Sequence, residues 1–148
     1  MKKVLSCVFA LLFLCMLIPK AKVETAEIEY LPDGSYFVTT IAADESDACR
    51  GNITRIKESI YYDASGVEQW RMKLTASFYY NGTTSYCTSC SVTYTIQNTA
   101  WHFDGKQGNI DGNVAFGSLT MVKKFLGITI KTVTRSLTLT CDKDGNVS

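Results

Sequence analysis

The chain has 148 residues, 46% of them hydrophobic and 20% charged, with a formal net charge of +1 at neutral pH. That length is enough for one domain with one core. So even a charge balance gives little support to nucleic acid or an anionic membrane as the main partner, since both need a basic surface.

The N-terminus reads as an export signal. Met1-Lys2-Lys3 is a short basic start, Val4 to Ile18 is apolar apart from Ser6, and Pro19 ends the run. The run is short for a membrane span and fits the basic and apolar regions of a secretory leader. We expect a signal peptide over 1–26 and a single secreted, extracellular β domain over 27–148, with no membrane span in the mature chain. The cut falls between 21 and 26: cleavage after Ala21 puts Pro19 at the −3 position, and cleavage after Ala26 puts Glu24 there. Removing 1–26 takes four of the 15 basic and one of the 14 acidic residues, which leaves 11 and 13 and a charge near −2.

Beyond the leader, period-two alternation dominates and helical periodicity is weak. SYFVTTIA (35–42) reads as a short β-branched strand. NITRIKESIYY (52–62) could place its isoleucines on one helical face, but its neighbours favour a strand. QWRMKLTASFYY (69–80) alternates most clearly. Trp70, Met72, Leu74, Ala76, Phe78 and Tyr80 share one face and Arg71, Lys73, Thr75, Ser77 and Tyr79 the other, the pattern of a half-buried strand. Asn81-Gly82 then signals a two-residue hairpin, in which both central residues take positive φ. The return strand sets Cys90, Val92, Tyr94 and Ile96 on one face. AWHFD (100–104) places Trp101 and Phe103 opposite His102. DGKQGNIDGN (104–113) and DKDGN (142–146) are read as Asx-type turns; they lack the full oxygen set of a calcium loop. NVAFGSLTMVKKFLGITIKTVTRSLTLTC (113–141) reads as two or three strands with a turn near Leu126-Gly127, and Val133, Leu137, Leu139 and Cys141 share a face. Short strands between Gly, Asn and Asp turns imply an all-β antiparallel sandwich or barrel of about seven or eight strands.

Four cysteines lie outside the leader: Cys49, Cys87, Cys90 and Cys141. An even number in an exported chain reads as two disulfides, with three pairings open. Cys87 and Cys90 form a CxxC, but it sits in a strand after a turn. A redox pair usually opens a helix, and a zinc knuckle brings two close pairs. We therefore expect structural sulfur, with no metal and no cofactor. Strand parity points Cys90 and Cys141 toward the core.

GVEQW (66–70), FYYNGTTSYCTS (78–89), Trp101, GNVA (112–115) and the closing LTLTCDKDGNVS (137–148) together resemble a family of small exported proteins from Gram-positive bacteria that has no assigned activity. The likeness spans roughly residues 53 to 148. It implies a bridge between Cys87 and Cys141, with Cys49 and Cys90 left to pair. A bulge between Thr88 and Ser91 would reconcile that bridge with strand parity.

Candidate chemistry is sparse. His102 is the only histidine, no G-x-S-x-G nucleophile elbow accompanies it, and it reads as an outward strand residue. Glu58, Asp63 and Glu68 are the carboxylates in plausible cleft positions, and nothing separates them from surface charges. Asn52, Asn81 and Asn146 match glycosylation sequons and are read as turn and strand chemistry. Among the aromatics, Trp70 and Trp101 fit core positions, while Tyr79 and Tyr61 are candidates for surface contact with sugars or a partner. The expectation is an uncharacterised secreted, non-catalytic binding module for an exported protein or cell-envelope component, with no nucleic acid partner. The alternative is a small secreted hydrolase acting on cell-wall or polymeric substrates.

Overall fold

The computed structural model describes residues 23–43 and 51–148. Most of the expected leader, with Cys49, lies outside the described residues. Eight strands follow one another: β1 (Val23–Tyr30), β2 (Tyr36–Ala43), β3 (Asn52–Tyr62), β4 (Glu68–Tyr80), β5 (Ser85–Ile96), β6 (Trp101–Asp111), β7 (Val114–Phe125) and β8 (Ile128–Thr140). They form two antiparallel meanders, a five-stranded sheet β1-β2-β3-β4-β5 and a three-stranded sheet β6-β7-β8. The sheets pack as an open sandwich rather than a closed barrel. β1 starts at Val23, opposite Ala42, so a cut after Ala21 leaves this strand whole and a cut after Ala26 removes its first half.

The expected alternation of β4 builds the core. Trp70, Met72, Leu74, Ala76 and Phe78 are fully buried, and they meet Ala115, Leu119 and Met121 of β7 and Val133, Leu137 and Leu139 of β8. Each large apolar side chain removed from water contributes about 1.5–3 kcal/mol. At one end the core becomes aromatic: the ring of Trp70 lies 5.2 Å from that of Tyr61, 5.7 Å from Phe37 and 6.2 Å from Trp101. The sheets pack closely around Gly117. A β-carbon there would lie 2.7 Å from Val92 Cγ2 and 2.9 Å from Leu74 Cδ1, so any larger residue would have to displace these core side chains.

The segment 52–62 is a strand, as its neighbours suggested, and the 113–141 stretch resolves into two strands. Three local expectations are corrected. Asn81-Gly82 does not form a two-residue turn with two positive φ angles; among residues 81–84 only Gly82 has one. Instead Asn81 Oδ1 accepts from the N–H groups of Thr83 and Thr84 at 3.0 and 2.9 Å, which caps a four-residue loop. The second correction concerns residues 104–111, expected as turn and found within β6, the sheet's edge strand. Its glycines and polar residues suit an edge, where one side of the backbone meets water. Only Gly112-Asn113 makes the turn, and 142–146 is the Asx turn expected, with Asp142 Oδ1 accepting from Asp144 N and Asn146 N. The third correction is Tyr61, which is 1% exposed. As the fourth aromatic of the core cluster it offers no surface contact.

Candidate functional site

The turns at one end of the sandwich enclose a cleft of about 290 Å³, lined by Asp33, Ser35, Tyr61, Asp63, Gln69, Trp101, Lys123 and Lys131 among others. Four of its polar groups, from the β1–β2 turn, β3 and β8, are tied to one another. Lys131 of β8 reaches across to Asp33 in the β1–β2 turn and donates to Tyr61 Oη at 2.6 Å. Tyr61 in turn donates to Ser35 Oγ at 3.0 Å, and Ser35 Oγ donates to Asp33 Oδ1. The circle of four is closed. Hydrogen bonds from Lys131 and then Ser35 hold the Asp33 carboxyl well below the usual carboxylate range. Partial burial works against the charge on Lys131, but its bonds to Asp33 and Tyr61 outweigh that and hold the ammonium above its ordinary value.

Asp63, on the far wall, caps the β3–β4 turn. Hydrogen bonds from Ser65 and Val67 lower its pKa. It also accepts from Gln69 Nε2 at 2.9 Å. Gln69 is only 2% exposed, and its side chain is fully used. Its Nε2 donates also to Val67 O, while its Oε1 accepts from Asn98 Nδ2 at 2.8 Å and Trp101 Nε1 at 3.1 Å. A buried amide with all its bonding capacity filled is a structural pin. It joins the β3–β4 turn to the crossing between the sheets.

The remaining candidates are dispersed. His102 is exposed on the outer face of edge strand β6. Glu58 and Glu68 both bind Arg71 on the outer face of the large sheet, at 3.4 and 2.8 Å, and neither lines the cleft. Trp70 and Trp101 are core residues, as expected. Tyr79 is half-buried beside Tyr86, with ring centres 5.2 Å apart.

A second aromatic group escaped the sequence reading. Tyr30, Tyr36 and Tyr62 line up across β1, β2 and β3 on the outer face of the large sheet, with ring centres 5.4 and 5.1 Å apart. Tyr30, at the end of the row, is 71% exposed. The signal was available: adjacent residues in a strand face opposite ways, so Tyr62 faces out because Tyr61 faces in.

The described cysteines, Cys87, Cys90 and Cys141, carry free thiols in the structure. Residue Thr88 has no partner in the β4–β5 register, which passes from Ser77 opposite Ser89 to Phe78 opposite Cys87. This bulge turns Cys87 inward, to the side already taken by Cys90 and Val92. Cys87 and Cys141 are both buried, and their N–H groups donate to the consecutive carbonyls of Gly112 and Asn113 at 2.8 and 3.1 Å. Burial raises all three thiol pKa values, the opposite of what a thiolate nucleophile needs. Among the described residues no group of three or more His, Cys, Asp or Glu is placed to hold a metal.

Searches of protein-family models, curated proteins and solved structures give no match to this chain.

Proposed function

We propose that the chain is an exported, non-catalytic binding module that contacts a cell-envelope component or another exported protein. The observation that carries this reading is the row of Tyr30, Tyr36 and Tyr62 across three strands of one sheet, ending in a ring open to solvent. Flat amphipathic rings on a rigid sheet stack on sugars or anchor a partner at low entropic cost. The leader-like N-terminus, the even number of cysteines beyond it and the resemblance to small exported proteins of Gram-positive bacteria support export.

The hydrolase alternative draws on the cleft, where two carboxylates and a serine meet. Polymer hydrolysis by a carboxylate pair needs one acid held protonated near neutral pH. Asp33 and Asp63 are both shifted the other way, and Lys131 is held charged, so it is a poor base for Ser35. The test is sedimentation of the protein with isolated cell envelopes, together with assay of the supernatant for released fragments. Under the binding reading the protein pellets, Tyr30→Ala with Tyr62→Ala pellets less without loss of fold, and no fragments appear. Fragment release that disappears in Ser35→Ala or Asp63→Asn would establish the hydrolase instead.

A further inference from the structure

The hairpin joining β7 to β8 ends in a tip unlike the other turns. Phe125, Leu126, Ile128 and Ile130 are 64%, 87%, 69% and 58% exposed. A soluble surface seldom gathers large apolar side chains in this way unless they meet something. The backbone gives a second, independent sign. Leu126 has φ 49°, followed by Gly127 at 80°. This is the left-handed conformation of a tight hairpin turn, where asparagine or glycine is the usual residue. Leu126 is the one non-glycine residue with positive φ among the described residues. A bulky apolar side chain is therefore held at the most projecting point against the backbone's own preference, and such strain concentrates at functional positions.

Charge identifies the occupant. From Gly112 to Cys141 the sequence holds four basic residues, Lys123, Lys124, Lys131 and Arg135, and no acidic one. Lys123 and Lys124 flank the tip, while Lys131 beside them is already bound to Asp33. At about 3.3 Å per residue, Lys124 and Lys123 lie roughly 7 and 10 Å behind Leu126. Interfacial segments sink about 5–10 Å into the boundary between headgroups and acyl chains, so these lysines would stand at headgroup level with the apolar tip below them. We propose that the β7–β8 hairpin tip docks into the surface of an anionic bilayer. The whole-chain charge does not oppose this, because beyond about 8 Å exposed charges are largely screened at physiological salt. A second copy fits less well, since tip-to-tip contact would bring the lysines of both copies together. The tip stands at the same end of the sandwich as the tyrosine row, with Ile130 lining the cleft beside Asp33 and Ser35, but its occupancy does not depend on that reading.

The test uses the full chain with Phe125→Trp as a reporter, since Trp70 and Trp101 are buried at 0% and 3% and give a constant background. Vesicles of phosphatidylcholine and phosphatidylglycerol, roughly 7:3, should shift its emission to the blue, and lipids brominated on the acyl chain should quench it. Pure phosphatidylcholine, or about 0.5 M salt, should weaken the effect at least about tenfold. A matched reporter, Ile110→Trp at the opposite end of the small sheet, should not respond. This control separates the tip from any lipid affinity of the apolar N-terminus. In the reporter background, Leu126→Asn with Ile128→Ser suits the turn better and should keep or raise stability while abolishing quenching. An unquenched residue 125, equal quenching at 110, or quenching that survives the double change would overturn the proposal. So would concentration-dependent dimerisation without lipid that the double change removes, which would assign the tip to a second copy.

Discussion

Arg135 extends from β8 to three strands of the opposite sheet. Its Nε donates to Ser59 Oγ at 3.0 Å, Nη2 to Thr39 Oγ1 at 2.9 Å and Nη1 to Glu29, while the guanidinium covers the Phe37 ring at 4.5 Å. It does so because sheet B is two strands narrower than sheet A, and the inner face of β2 and β3 lacks apolar cover there. A planar fork suits three separate acceptors and a ring; an ammonium on a flexible stem does not. Arg135→Lys should therefore behave nearly as badly as Arg135→Ala, each losing about 1.5–3 kcal/mol in urea denaturation. Near-complete rescue by lysine would show that charge alone matters. The position was within reach of the sequence. Lys131 and Arg135 have the same parity in β8 as Val133, Leu137 and Leu139, and hydrophobic patterning passes over them because it scores cations as outward-facing. Burial of a cation depends on acceptors that lie 70 to 106 residues away in the chain, and alternation carries no information about them.

The turns show the same division between local and distant information. Asp63 and Asp142 each cap their own turn through bonds to residues two and four ahead; this short-range chemistry reads in the sequence as an Asx turn at 142–146 and is passed over at Asp63, which looks like an ordinary surface carboxylate. β6 was not legible. Residues 104–111 have turn composition, yet they pair along β7 from Gly105 opposite Thr120 to Asp111 opposite Val114. The strongly apolar β7 supplies the ladder, and partner choice overrides propensity at an edge. The capping carboxylates also set an acid limit. Donors in the folded state lower the pKa of Asp33, Asp63 and Asp142 relative to an unfolded value of about 3.9. A depressed folded pKa contributes stability that is complete above the unfolded value and is lost as pH falls through the folded one. The fold should accordingly hold steady from neutral pH down to about 4 and weaken below it. Asp63→Asn should be less stable than the parent at neutral pH, and the gap should close toward pH 2. Denaturant midpoints across that range would measure this, and a gap independent of pH would refute the assignment.

At the scale of the molecule, two simple meanders form a sandwich that leaves β1 as an edge strand at one margin and the β7–β8 tip free at one end. A sandwich this open depends on what joins its sheets far from the Gln69 pin. At the opposite end, the β6–β7 turn sits between Cys87 of the large sheet and Cys141 of the small one, holding both backbones through Gly112 and Asn113. The bulge at Thr88 has one evident consequence, which is to bring Cys87 to the side of Cys141; without it Cys87 and Cys90 would face opposite ways. We therefore expect oxidation on export to join these two, clamping β5 to the end of β8 and closing the end that the Gln69 network does not reach. A loop of this length should add about 2–4 kcal/mol, chiefly by restricting the unfolded chain. Peptide mapping without reductant, on protein recovered from the medium, should yield the fragments of Cys87 and Cys141 linked. Reductant and Cys141→Ser should each lower the denaturation midpoint by the same amount. Linkage of Cys90 to Cys141 would mean that the bulge serves packing alone, and recovery of Cys87 and Cys141 as free thiols would mean that buried apolar contact holds this end of the sandwich.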